Sequence, residues 1–171
     1  TELREPVQIT ATSHFESDPV FINDGSAIAC VSWKNGEPDI CRIERADSSK
    51  YWWQNDEFTT TRITNDDSLE SDLRLSPDRK RLAYIRGRGE LWLRNLDSGD
   101  AKMLVESFSA PDYDFSPDGK WIVYAQTDNN FNTDIWIMPT DQSSDPVNIS
   151  RHPDDESGPR WSSDEALIAF T

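Results

Sequence analysis

Tyr113-Asp-Phe-Ser-Pro-Asp-Gly-Lys-Trp-Ile-Val-Tyr-Ala125 decides how this chain folds, because three other stretches are versions of it. They are Pro19-Val-Phe-Ile-Asn-Asp-Gly-Ser-Ala-Ile-Ala-Cys-Val31, Leu73-Arg-Leu-Ser-Pro-Asp-Arg-Lys-Arg-Leu-Ala-Tyr-Ile85 and Pro159-Arg-Trp-Ser-Ser-Asp-Glu-Ala-Leu-Ile-Ala-Phe-Thr171. The shared aspartates Asp24, Asp78, Asp118 and Asp164 stand 54, 40 and 46 residues apart. That spacing is near the period of four-stranded propeller blades, which bury their apolar faces on one another. An aspartate or tyrosine here is first a repeat position and only second a candidate for chemistry.

Within the quoted stretch, Tyr113 to Phe115 reads as a short, half-apolar strand. Ser116-Pro117-Asp118-Gly119 fits a type I turn: proline presets φ at the second position, serine can bond the backbone at the first, and glycine is favoured at the fourth. Trp121 to Ala125 is a β-rich apolar run, suited to a strand covered on both faces. Thr127 to Thr133 is a polar loop, and Asp134-Ile-Trp-Ile-Met138 is a third strand stopped by Pro139. Val147-Asn-Ile-Ser150 alternates as a half-exposed outer strand does. Elsewhere the third strands are Asp39–Ile43 and Glu90–Arg94, and the fourth strands are Val7–Thr10, Arg62–Thr64 and Lys102–Val105.

The predicted fold is therefore all-β: a β-propeller fragment of four-stranded antiparallel blades, three full blades plus partial pieces, with residues 1–171 as a single partial domain. Repeats start near residues 18, 72, 112 and 158, residues 1–17 contribute an outer strand, and residues 46–60 form an aromatic loop insertion. Closed propellers have roughly four to eight blades, so the chain reads as a piece of a larger one.

The formal charge of −15 and a pI near 4.4 argue against nucleic acid and anionic membrane surfaces, whose phosphates would repel the chain, and leave basic peptides as partners it attracts. No apolar run approaches the ~18 residues of a membrane helix. No signal-peptide pattern stands at Thr1, and without an initiator Met the chain reads as a processed or excised piece. Two cysteines are too few for a disulfide framework.

These residues resemble the amino-terminal propeller region of tricorn-like serine peptidases. The resemblance rests on the Ser116–Gly119 turn, the run Asn130-Phe-Asn-Thr-Asp-Ile-Trp-Ile137, Ser150-Arg-His-Pro-Asp154, and Ala46-Asp-Ser-Ser-Lys-Tyr-Trp-Trp-Gln-Asn-Asp56. The translocation protein TolB and prolyl-peptidase propellers share the turn. The resemblance implies a non-catalytic propeller that admits and filters peptides for a separate carboxy-terminal peptidase domain, which carries the serine nucleophile beside a PDZ-like domain. Nothing in this chain matches those later domains. The copies depart from the pattern at Arg79, Asn23, Ser163 and Glu165, which replace turn glycines or prolines. The runner-up is a stand-alone interaction propeller of the TolB type, and the third reading is an autonomous hydrolase.

A serine or cysteine nucleophile needs a base within reach, and His14 and His152 are the only histidines. There is no Gly-x-Ser-x-Gly elbow and no phosphate-cradling glycine loop. The expectation is no catalytic residue, no metal and no cofactor, with both histidines as loop residues. The candidate peptide or partner surface is Glu16, Asp18, Asp67, Glu70, Asp72, Asp112, Asp154, Asp155, Tyr51, Trp52, Trp53 and Phe131. The carboxylates, together with Asp66 and Glu156, fall in connections between blades, which antiparallel topology places on one end beside the loops holding Glu37 and Asp128. They form either an acidic mouth for basic peptides or a solvated loop surface whose aspartates cap turns. Tyr51, Trp52, Trp53 and Phe58 lie in the long connection of the first repeat, and either dock a neighbouring domain or subunit or fold back onto their own blade. Trp92 and Trp136, facing Tyr84 and Tyr124, are blade core.

Asn35-Gly36 is a two-residue type I′ turn signal, and its register sets Cys30 opposite Cys41 and Trp33 opposite Pro38, with the cysteines as free, buried thiols. The final strand, ending at Thr171, has no third strand beside it within the chain. Such an edge recruits strands, so self-association is expected. The expected partners are thus peptides or unfolded polypeptide, a carboxy-terminal peptidase domain, and other copies of the chain.

Overall fold

The structure, a computed structural model, describes residues 5–10, 12–34 and 36–171. Asn35 of the predicted turn and the side chain of Glu37 lie outside the described residues. The strands are β1 (Glu16–Ile22), β2 (Ala27–Lys34), β3 (Glu37–Arg45), β4 (Phe58–Arg62), β5 (Glu70–Leu75), β6 (Arg81–Arg86), β7 (Glu90–Asn95), β8 (Ala101–Val105), β9 (Tyr113–Phe115), β10 (Trp121–Thr127), β11 (Thr133–Pro139), β12 (Val147–Asn148), β13 (Arg160–Trp161) and β14 (Ile168–Ala169). They form sequentially ordered sheets β1-β2-β3-β4, β5-β6-β7-β8 and β9-β10-β11-β12, with β13-β14 as a two-stranded ribbon. The all-β expectation therefore holds, sheet by sheet. The chain packs as two compact units that divide between Leu73 and Arg74, inside β5.

A serine–aspartate turn joins the first two strands of three repeats. In the third, Gly119 donates its N–H to the Ser116 carbonyl at 2.8 Å, closing the turn. The Ser116 hydroxyl donates to Asp118 at 2.7 Å and accepts from the Trp121 N–H at 2.9 Å, while Asp118 also accepts from the Lys120 N–H at 2.9 Å. Ser76 and Asp78 repeat these bonds with Lys80 and Arg81, and Ser162 and Asp164 repeat them with Ala166 and Leu167. Gly119 has φ +70°. Arg79 and Glu165, which replace it, take the same left-handed conformation at φ 59° and 64°, a strain that the bonded turn sustains. The first repeat differs because Ile22 stands where the serine belongs: Asn23–Gly25 winds into a 3₁₀ turn in which Asn23 and Asp24 both have positive φ.

Register follows the sequence in each hairpin. Cys30 pairs with Cys41, Trp33 with Pro38, Tyr84 with Trp92 and Tyr124 with Trp136. Both cysteines are free and buried. Burial pushes the Cys30 thiol up to about 12 and raises Cys41 too, so neither supplies a thiolate. In the second unit, Ile85, Leu91 and Leu93 pack on Tyr113, Ile122 and Tyr124, and the opposite face of the third sheet, Val123, Ala125 and Ile135, receives Trp161 and Ile168. In the first unit, Ile28, Cys30, Cys41 and Ile43 are joined by Ile9, Trp52 and Phe58.

Several boundaries depart from expectation. Val7–Thr10 is not a strand. No third strand of a preceding repeat lies beside it among the described residues, and Ile9 instead packs on the Cys30 cluster. The first outer strand is Phe58–Arg62, earlier than Arg62–Thr64, because the long β3 continues its pairing to Arg45 opposite Phe58. That shortens the insertion to residues 46–57. Glu16 and Asp18 lie within β1 and Glu70 and Asp72 within β5, where connections were expected.

Two outcomes follow from the turns. The N–H of Lys120 and the hydroxyl of Ser116 hold the Asp118 carboxyl down to about 2, from an ordinary value of 3.8. A depressed carboxyl contributes stability above its unfolded value that is lost as pH falls through the folded one. Stability against urea should therefore fall between about pH 4 and pH 2, and Asp118→Asn should flatten that part of the profile; parallel profiles would contradict the turn's role. At Gly89 an added Cβ would run into the Ser109 carbonyl and lie 2.7 Å from the Ala110 nitrogen. Gly89→Ala should cost about 1–3 kcal/mol in the same assay, and an unchanged midpoint would contradict the close approach.

Candidate functional site

The connection between β3 and β4 is built to hold two aromatic rings in water. The Ala46 N–H donates to the Glu57 carbonyl at 3.1 Å, closing its base. Trp52 turns inward: its indole N–H donates to the Gly25 carbonyl at 2.9 Å, and its ring stacks on Phe58 at 5.9 Å beneath the Arg45 guanidinium at 5.5 Å. Asn55, only 4% exposed, accepts from the Asp47 N–H at 2.9 Å and donates to the Tyr51 carbonyl at 3.0 Å. The Gln54 side chain accepts from the Tyr51 N–H at 3.0 Å. Tyr51 and Trp53 are left stacked, with centroids 4.6 Å apart and planes within 5°. They are 62% and 49% exposed. The two sequence alternatives thus divide the aromatic run: Trp52 and Phe58 fold onto their own sheet, and Tyr51 and Trp53 face outward.

The predicted carboxylates do not make one surface. Glu70 is 1% exposed and Glu156 8%, so neither stands on an open acidic surface. Each belongs to a pattern the sequence analysis missed. Glu16-Ser17-Asp18, Glu70-Ser71-Asp72 and Glu156-Ser157-Gly158 lead into inner strands, and Asp18, Asp72 and Gly158 all take positive φ, at 52°, 50° and 61°. Aspartate and glycine tolerate that conformation, a structural reason for Asp18 and Asp72. The Thr10 hydroxyl donates to Glu16 and the Thr64 hydroxyl to Glu70, each at 3.2 Å and six residues apart. Thr64 also accepts the Ile40 N–H at 2.8 Å, as Ser150 accepts that of Ile135 at 2.9 Å, tying outer strands to third strands. The spacing of hydroxyl and glutamate was the available signal. Asp67 and Asp112 are exposed.

In the second unit two loops are knitted together. Asp128 accepts the N–H groups of Asn130 at 2.7 Å and Asn132 at 3.0 Å. The Asn132 and Asn130 N–H groups hold its carboxyl below the usual range. This loop carries Phe131, 78% exposed at φ 64°. Asn132 donates to the His152 carbonyl at 3.3 Å, Asp155 accepts the Thr133 N–H at 2.7 Å, and the Glu156 N–H donates to the Thr133 carbonyl at 2.9 Å. Phe131, Asp154 and Asp155 are thereby brought together, as the sequence did not foresee in detail.

A cleft of about 360 Å³ at the turn end is lined by Arg81, Asp100, Lys102, Thr140 and Asp141 among others, none of them a predicted site residue. Arg81 bridges two repeats there, donating to Thr140 and to the Gly119 carbonyl, each at 2.9 Å.

No protein-family model and no curated protein matches the chain. Solved structures do. TolB from Acinetobacter baumannii is 19% identical, with a TM-score of 0.68 over 95% of this chain and 39% of its own. The β-propeller domain of the trilobed protease from Pyrococcus furiosus is 17% identical, with a TM-score of 0.56 over 86% of this chain and 45% of its own. Oligogalacturonate lyase from Vibrio parahaemolyticus is 10% identical, with a TM-score of 0.72 over 95% of this chain and 48% of its own. The chain spans less than half the length of each. These likenesses establish a β-propeller fold, which hosts different activities in different proteins.

Asn55→Ala would leave the Asp47 N–H and the Tyr51 carbonyl without their buried partner. It should cost about 1–3 kcal/mol and change the near-ultraviolet circular dichroism of the Tyr51–Trp53 stack. A variant of unchanged stability and spectrum would mean that the loop is not held by Asn55.

Proposed function

We propose that this chain is a non-catalytic propeller that holds extended polypeptide, serving as the scaffold or gate that admits peptides to the separate catalytic domain of a tricorn-like serine peptidase. The observation that carries the reading is the aromatic connection. It buries Asn55 and packs the half-buried Trp52 onto its own sheet while Tyr51 and Trp53 stay stacked in solvent, and exposed aromatic clusters of this kind tend to mark interaction surfaces. The likeness to a protease's propeller domain supports the same reading, as does a sequence that has two histidines, His14 and His152, and no nucleophile-elbow motif. The charge of −15 favours basic peptides over acidic ones.

A second reading, a stand-alone interaction propeller of the TolB type, is favoured by one observation: the superposition on TolB covers 95% of the chain at a TM-score of 0.68, against 86% at 0.56 for the protease domain. In that case the aromatic pair docks a folded partner.

The test is fluorescence anisotropy with labelled, unstructured peptides, run beside a peptide-cleavage assay. The gate reading expects binding without turnover, weakened about tenfold by Tyr51→Ala with Trp53→Ala, as for aromatic anchors. Turnover by pure chain, or no binding of any peptide, would overturn it.

A further inference from the structure

We propose that the loops around Phe131 and His152 form a site for an arginine side chain of an extended peptide, a proposal that rests on the peptide-binding reading and deepens it. Glu156 carries the argument. Its side chain is 10% exposed, and its Oε2 is buried with no hydrogen-bond partner. Its Oε1 faces the Nδ1 of His152 at 3.6 Å, but that nitrogen already accepts the Asp154 N–H at 3.2 Å, so the imidazole brings no proton to the carboxylate in this arrangement. A buried carboxylate left in this state is costly unless a cation compensates it.

The surrounding groups point the same way. Asp128, Asp134, Asp154 and Asp155 face this corner, against Arg151 as the one cationic side chain of residues 150–158 apart from His152. Asp134 is engaged, accepting from Asn148, Ser150 and the His152 N–H. Asp154 and Asp155 are exposed. Phe131 lies on the loop hydrogen-bonded to theirs, 78% exposed and held at φ 64°, a conformation that costs a bulky residue free energy and is offset by the Asp128 hydrogen bonds. A flat, exposed ring beside unneutralised carboxylates matches a guanidinium, which stacks on aromatic faces while its N–H groups reach several acceptors. The chain uses the same pairing internally, with Arg86 lying 4.8 Å from the Trp92 centroid.

The probe is a labelled glycine–serine peptide with one central arginine, compared by anisotropy at low ionic strength with its citrulline, lysine and glutamate counterparts. The arginine peptide should bind about tenfold more tightly than the neutral citrulline isostere, and more tightly than lysine. Phe131→Ala, a surface change that leaves the core intact, should cost it about fivefold, the size of an exposed cation–π contact. Glu156→Gln should remove most of the preference over citrulline, with thermal melts confirming that the variant is folded. Equal binding of arginine and citrulline, or arginine affinity untouched by both variants, would overturn the site while leaving peptide binding elsewhere on the propeller intact. Loss of the arginine preference on adding calcium, with calcium itself bound, would overturn it in favour of a metal site. Failure of every peptide, including those bound by the aromatic loop, would sink the broader reading too.

Discussion

The serine–aspartate turn is the constraint on which the rest of the structure depends. One hydroxyl and one carboxylate, two residues apart, collect the N–H groups that the chain leaves unpaired as it reverses between the inner strand and its neighbour. The turn closes against the same strand residue each time, so it sets the register of the hairpin. Register then decides which side chains meet across the sheet, because a slip of one residue would turn each side chain to the other face. Tyr84 opposite Trp92 and Tyr124 opposite Trp136 are consequences. The packing of Tyr113, Ile122 and Tyr124 on the preceding sheet follows in turn. Where Ile22 replaces the serine, the turn changes shape although Asp24 and Gly25 are retained. The hydroxyl, more than the glycine, defines the device, since Arg79 and Glu165 sustain a left-handed conformation in copies that keep the serine.

Much of this was legible because its determinants are local. Ser-Pro-Asp-Gly carries its own turn chemistry, and Asn35-Gly36 between alternating strands set Cys30 against Cys41. Features that depend on distant partners were not. Val7 to Thr10 has the residues of an outer strand, but a strand exists only beside another, and none was there among the described residues. Tyr51, Trp52 and Trp53 are consecutive and chemically alike; which ring turns inward depends on the Gly25 carbonyl that receives Trp52 and on the buried Asn55. Glu70 and Glu156 were misplaced for a compositional reason. In so acidic a chain, one more carboxylate in a connection looks solvated, although the hydroxyl six residues before each glutamate and the repeated Glu-Ser-Asp or Glu-Ser-Gly were readable as structure.

The same bonds separate scaffold from function. Aspartates that complete turns, such as Asp78, Asp118 and Asp164, are occupied by N–H and hydroxyl donors and have little left to offer a ligand. What remains for recognition sits on connections that are longer or more strained than folding requires: residues 46–57 with their exposed ring pair, and the Phe131 loop beside Asp154 and Asp155. A repeat held by local turns leaves its connections free to vary, which is how one fold can carry different activities.

Amide hydrogen exchange at the turns tests this account most directly. The N–H groups of Arg81, Trp121 and Leu167 donate to serine hydroxyls, and those of Lys80, Lys120 and Ala166 to aspartate carboxylates, in turns that lie at the surface. All six should exchange far more slowly than the amides of open loops, and the protection of the serine-bonded three should be lost together with that of the strands that follow them. Exchange at open-loop rates in all three repeats, with the strands still protected, would mean that the sheets hold the turns and that the turns do not set the sheets.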